Sequence, residues 1–94
     1  MGLNIQYTET FEYTFSVLIA FLQENWSQTV VDEFIHETER IIKLAATFPN
    51  MYKSSSFDKS VRIAYVNKLS SLFYTFTEDH LILLYIVDSR QEPL

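Results

Sequence analysis

The chain has 94 residues, a net charge of −5, and a composition that is 48% hydrophobic and 16% aromatic. That length builds one domain (residues 1–94), and the apolar fraction is far from that of a disordered chain. There is no cysteine, which excludes disulfides, thiolate metal sites and thiol nucleophiles. No apolar run approaches the ~20 residues of a membrane-spanning helix, and no basic segment followed by an apolar stretch opens the chain, so a cytoplasmic protein is expected.

Leu3-Asn4-Ile5-Gln6-Tyr7 alternates apolar and polar residues, the period of a half-buried strand. Thr8 or Thr10 then caps a helix whose apolar residues Phe11, Phe15, Leu18, Ile19, Leu22 and Trp26 recur at spacings of three and four. Tyr13, Val17, Ala20 and Phe21 form a second apolar stripe beside the first. Two stripes exceed what one flat contact requires. Either the helix is wedged between a sheet and another helix, or Tyr13, Val17 and Phe21 meet a partner protein or a second copy of the chain.

Ser27 is the expected N-cap of a second helix, with Val30, Val31, Phe34, Ile35, Thr38, Ile41, Ile42 and Ala45 on one side and Asp32, Glu33, His36, Glu37, Arg40 and Lys43 on the other. Glu37 with Arg40 and Glu39 with Lys43 are spaced to pair along it. Pro49 disfavours helical geometry at Phe48 and should stop it. Residues 49–60 are serine-rich and aperiodic, hence a loop. Three strand-like runs follow: Val61 to Asn67, Leu69 to Thr77, and His80 to Asp88, the last two joined at Glu78-Asp79. Leu81 to Val87 is apolar on both faces and is expected to be a central, doubly buried strand. The expected fold is α+β in the order β-α-α-β-β-β, a helical hairpin on one face of a small, largely antiparallel sheet.

The segment Phe21-Leu-Gln-Glu-Asn-Trp-Ser27, the long amphipathic helix after it, Phe48-Pro49, the arginine-bearing run Val61-Arg62-Ile-Ala-Tyr65, Leu72-Phe73-Tyr74, and the final run ending Asp88-Ser89-Arg90-Gln91 together resemble the RelE/ParE toxin superfamily, in order and over nearly the whole chain. The resemblance implies a toxin encoded beside an antitoxin that wraps across it. It also implies one of two activities: cutting messenger RNA in the ribosome, as RelE-like members do, or poisoning DNA gyrase, as ParE-like members do. Fold alone does not choose between them.

RNA cleavage through the 2′-hydroxyl needs a proton acceptor, cations on the scissile phosphate and a donor for the leaving oxygen. By position, Arg62 and Arg90 match the phosphate-clamping arginines of the nuclease branch, and Lys68 joins Arg62 on one sheet face if their strand extends that far. The competing reading makes Arg62 and Arg90 strand-end cations or ion-pair partners, since Asp88 is two residues from Arg90. His80, beside a turn, is the histidine nearer to a catalytic role, while His36 lies on a charged helix face. Tyr65, Tyr74 and Tyr85 are donors or stacking groups if exposed, and ordinary strand aromatics otherwise. Lys53 and Lys59 border the loop. No metal or cofactor constellation is present, so none is expected.

Residues 1–50 hold seven acids against Arg40 and Lys43, whereas residues 51–94 hold five acids and five bases. An acidic chain lacks the basic stripe usual in nucleic-acid binders. On charge alone, the expectation leans to a ParE-like toxin acting on a protein target. The RelE-like ribonuclease is the alternative, and a non-toxic member that only binds a partner is the third reading.

Overall fold

The computed structural model describes residues 2–91. Its elements are β1 (Asn4–Tyr7), α1 (Glu9–Asn25), α2 (Gln28–Thr47), β2 (Arg62–Tyr65), β3 (Ser70–Phe76) and β4 (His80–Asp88), followed by a 3-10 turn at Ser89–Gln91. The four strands make one sheet in the order β1-β4-β3-β2. β2–β3 and β3–β4 are antiparallel, whereas β1 runs parallel to β4. The expected α+β order is therefore the observed one.

Local chemistry explains the boundaries. Thr8 caps α1: its hydroxyl oxygen accepts from the Phe11 amide at 3.1 Å and its proton goes to the Leu83 carbonyl at 2.7 Å, so one side chain starts the helix and ties it to β4. Ser27 accepts from the Val30 amide and caps α2. Phe48, before Pro49, leaves helical geometry and ends α2. The β3–β4 turn has no glycine. Thr77 organises it instead, its hydroxyl accepting from the amides of Asp79 and His80 while its own amide donates to the His80 carbonyl.

Both helices lie on one face of the sheet. Phe11, Leu18, Leu22, Val31, Phe34, Ile41, Ile42 and Ala45 meet Ala64, Leu72, Tyr74, Leu81, Leu83 and Ile86 in a single core. β4 is central, as expected, but it is buried on one face only. Its other face carries Ile82, Tyr85 and Val87, of which Val87 is 46% exposed. The reason is topological: the chain supplies two helices and spends both on the same side. Two strands are shorter than their apolar runs. β2 ends at Tyr65 because the Asn67 side chain accepts from the Leu69 and Ser70 amides and folds residues 66–69 into a turn. A register shift between Phe73 and Tyr74 then sets the alternation of β4 against β3.

Candidate functional site

Arg62, Lys68 and Arg90 do not converge. Arg62 is paired with Tyr74 on β3 and shares the helix-facing side of the sheet. Its guanidinium donates to the Tyr52 carbonyl and, at 3.2 Å, to Asn50 Oδ1, and it lies 5.8 Å from the centre of the Phe76 ring. It anchors the loop that follows α2. Arg90 sits at the other end of the sheet. Asp88, just before it, pairs with Ser70, and Ser70 and Tyr74 are four residues apart on β3, ~13 Å of strand. Lys68 is in the β2–β3 turn rather than on a strand, so it does not share Arg62's face by alternation.

Arg90 is held by Asp88 through two of its three guanidinium nitrogens. Its Nε and Nη2 donate to the two Asp88 oxygens at 2.9 and 2.7 Å, its amide also donates to Asp88, and its guanidinium stacks 5.1 Å from the Trp26 ring centre. The Asp88 side chain is wholly buried and also accepts from the Ser70 hydroxyl. Burial pushes the Asp88 carboxyl up, but hydrogen bonds from Arg90 and Ser70 outweigh burial and hold it below the ordinary carboxylate range. Ser70, Asp88, Arg90 and Trp26 thus form a latch that fastens the end of β4 to β3 and to the α1–α2 junction. The ion-pair reading of Arg90 noted from the Asp88 spacing is the observed arrangement. Ser70 had no signal in the sequence, and Trp26, expected on the apolar stripe of the first helix, instead lies at the C-cap of α1 beneath the Arg90 guanidinium.

The other side of the sheet is different in kind. The helices leave it uncovered, and strand alternation places Ile63, Tyr65, Ser71, Phe73, Thr75, Ile82, Tyr85 and Val87 there. Phe73 stacks on Tyr85 with ring centres 4.5 Å apart, and Phe57, from the loop before β2, tilts against Phe73 at 6.2 Å. Tyr65 and Phe57 are 63% and 65% exposed. No strand residue on this face is an acid. Lys53 lies opposite Ile63 in the bridge between the loop and β2, and Lys53, Lys59 and Lys68 are all exposed, with no ion pair among the described residues. His80 is exposed at the start of β4. Tyr74 belongs to the opposite face: it is fully buried, its hydroxyl donates to the Pro49 carbonyl at 2.7 Å, and burial pushes its pKa up to about 12. Tyr65 and Tyr85 are thus on the open face and Tyr74 is core. Among the described residues no cluster of three or more metal-ligating side chains occurs, and no helix is long and apolar enough to cross a membrane.

The second stripe of α1 is not wedged. Tyr13, Val17 and Ala20 are exposed, and Phe21 is half-buried against Trp26 at 5.7 Å. Tyr13 and Val17 form one wall of a cleft of about 620 Å³ whose other wall is Leu69, Ser71 and Val87. His36 is exposed on α2. Glu37 pairs with Arg40 there, but Glu39 and Lys43 form no ion pair.

No family model and no curated protein matches the sequence. The fold is matched by solved structures. The toxin–antitoxin complex DinJ–YafQ of E. coli contains a chain with TM-score 0.67 and 11% identity, covering 98% of both chains. A copper-bound mutant toxin from Helicobacter pylori matches with TM-score 0.61 and 18% identity, over 97% of this chain and 99% of that one. A YoeB dimer from Staphylococcus aureus matches with TM-score 0.63 and 15% identity, over 93% and 97%. Two helices on one face of a sheet ordered β1-β4-β3-β2, matched from end to end in each comparison, give this chain the RelE/ParE toxin fold.

Proposed function

We propose that the chain is the toxin of a toxin–antitoxin pair, bound by an antitoxin, and that it acts on RNA through the open face of its sheet. The pairing with an antitoxin is supported by the full-length structural likeness to a chain of the DinJ–YafQ complex. The RNA target is supported by one observation above the others: Phe57, Tyr65, Phe73 and Tyr85 form an uncovered aromatic surface, and the exposed Lys53 lies opposite Ile63 at its edge. Single-stranded RNA is held by stacking its bases on such aromatics while cations take the backbone phosphates. This favours the RelE-like alternative over the ParE-like reading that net charge suggested.

A second reading has its own observation. Arg62 and Arg90 are both engaged in holding the fold, so the phosphate clamp that the resemblance implied is not free to act. A member that binds RNA or its antitoxin without cleavage fits that arrangement. The chain should be induced with and without the neighbouring gene while growth, transcript ends and plasmid supercoiling are followed. Growth arrest with ribosome-dependent transcript cuts, lost in Tyr85→Ala and Lys53→Ala but retained in proportion to folded protein in Arg62→Ala, is the expected result. Arrest with intact transcripts and altered supercoiling would restore the gyrase reading. Absence of arrest would leave the non-cleaving one.

A further inference from the structure

The cleft beside α1 continues past the pocket already described. Its first part is lined by Tyr13, Thr14, Val17, Lys68, Leu69 and Val87. A second part of about 380 Å³ is lined by Ala20, Phe21, Glu24 and Arg90, and shares Val17 and Gln91 with the first. Of the ten large hydrophobic side chains exposed among the described residues, Tyr13, Val17, Leu69 and Val87 lie together in this cleft, an apolar surface of the kind that marks an interface.

Its charges are arranged in an informative way. Arg90 and Asp88 neutralise each other. That leaves Lys68 in the first part only and Glu24 in the second part only, neither in an ion pair among the described residues. A surface with a free cation on one side of its centre and a free anion on the other is complementary to itself. In a two-fold contact, residue i of one copy meets j of the other while j meets i. An axis passing near Val17 and Gln91 therefore carries each Lys68 toward the other copy's Glu24. The outer side of α2 does not offer this. It carries Asp32, Glu33, Glu37 and Glu39 against Arg40 and Lys43, and a symmetric contact there sets acids against acids.

We propose that this cleft is the interface of a homodimer, with Val17 near the two-fold axis and two symmetry-related Lys68–Glu24 pairs at its rim. A stable dimer of this kind buries ~800 Å² per copy, about an eighth of the 6203 Å² surface of the chain. The cleft shares Ser71 and Val87 with the edge of the open sheet face, but self-association is read without reference to the toxin's target, so the proposal stands or falls separately from it.

The test is sedimentation equilibrium of the purified full-length chain, alone and with its antitoxin, for the parent, Val17→Asp, Lys68→Glu, Glu24→Lys and the Lys68→Glu/Glu24→Lys double variant. All substituted side chains are exposed, and thermal melts verify that each variant folds. The expected parent dimer dissociates in the micromolar range. Val17→Asp abolishes it, each single reversal weakens it about tenfold or more, and the double reversal returns it to within about threefold of the parent, ~0.7 kcal/mol. Only a contact of the chain with itself predicts that last rescue. A parent that stays monomeric at ~100 μM, a dimer indifferent to these substitutions, or a double reversal weaker than either single one overturns the proposal. A monomer whose cleft becomes protected from hydrogen exchange only on adding antitoxin assigns the cleft to the antitoxin instead.

Discussion

Replacing Asp88 by asparagine should be the most damaging isosteric change in the protein. The carboxylate is completely buried and receives four hydrogen bonds, three from Arg90 and one from Ser70. Asparagine keeps the shape and one acceptor oxygen but removes the charge and turns one oxygen into a donor facing the guanidinium. Breaking a buried ion pair from one side costs ~3–5 kcal/mol, mostly because the remaining charge is stranded. Here the Arg90 side chain retains 18% exposure and its stack on Trp26, which lowers the expected cost to ~2–4 kcal/mol. For a domain of this size that is a fall in Tm of roughly 10–25 °C.

The same group sets an acid limb of stability. Its folded pKa lies below its unfolded value, about 3.9. Its stabilisation is therefore present above the unfolded pKa and is lost as pH falls through the folded one. The assay is urea denaturation from neutral pH down to ~3, followed by the fluorescence of Trp26, the protein's one tryptophan. Because Arg90 lies over that ring, the native spectrum of Asp88→Asn should also shift before any unfolding. A variant that melts within about 3 °C of the parent and keeps the parent's acid limb would refute the assignment of Asp88 as the centre of the latch.

Two further outcomes follow from single side chains. Thr8→Ala should cost ~1–2.5 kcal/mol in chemical denaturation, since it removes both the α1 cap and the bond to the Leu83 carbonyl, while Thr8→Ser should recover most of the loss. Tyr74, raised to about 12 by burial, should ionise only in strongly alkaline solution. Phenolate absorbance should therefore lose a step near pH 12 in Tyr74→Phe. In the parent, stability should hold below ~10, the unfolded pKa, and decline as pH rises from there through about 12.

The caps, the helix periods and the Pro49 stop were legible because each is set by residues within a few positions of one another. Thr8 and Ser27 precede apolar stripes, and β4 is one apolar run with turn residues before it. What the sequence left open is what long-range packing decides. In β3 the residues Leu72, Tyr74 and Phe76 alternate with Ser71, Phe73 and Thr75, and both sets contain an aromatic, so parity alone cannot say which faces the helices. The expectation that β4 is doubly buried failed on the same ambiguity. An apolar residue on a strand is compatible with either a second layer or an uncovered aromatic face. Arg62 was misleading in the opposite sense, since its partners Tyr52 and Asn50 are ten and twelve residues upstream in an aperiodic loop.

The charge distribution also reads differently once folded. The net charge of −5 suggested a surface hostile to RNA, but seven of the twelve acids belong to the helical hairpin and lie on the far side of the sheet from Phe73 and Tyr85. A packed layer adds ~10 Å of separation, and the Debye length at physiological salt is ~8 Å. Acids on the outer side of α2 are therefore screened from a ligand on the open face, whereas Lys53, opposite Ile63, lies beside it. The quantity that governs a polyanion there is the local field of that face, and the sum over the chain describes a molecule that binds with every side at once.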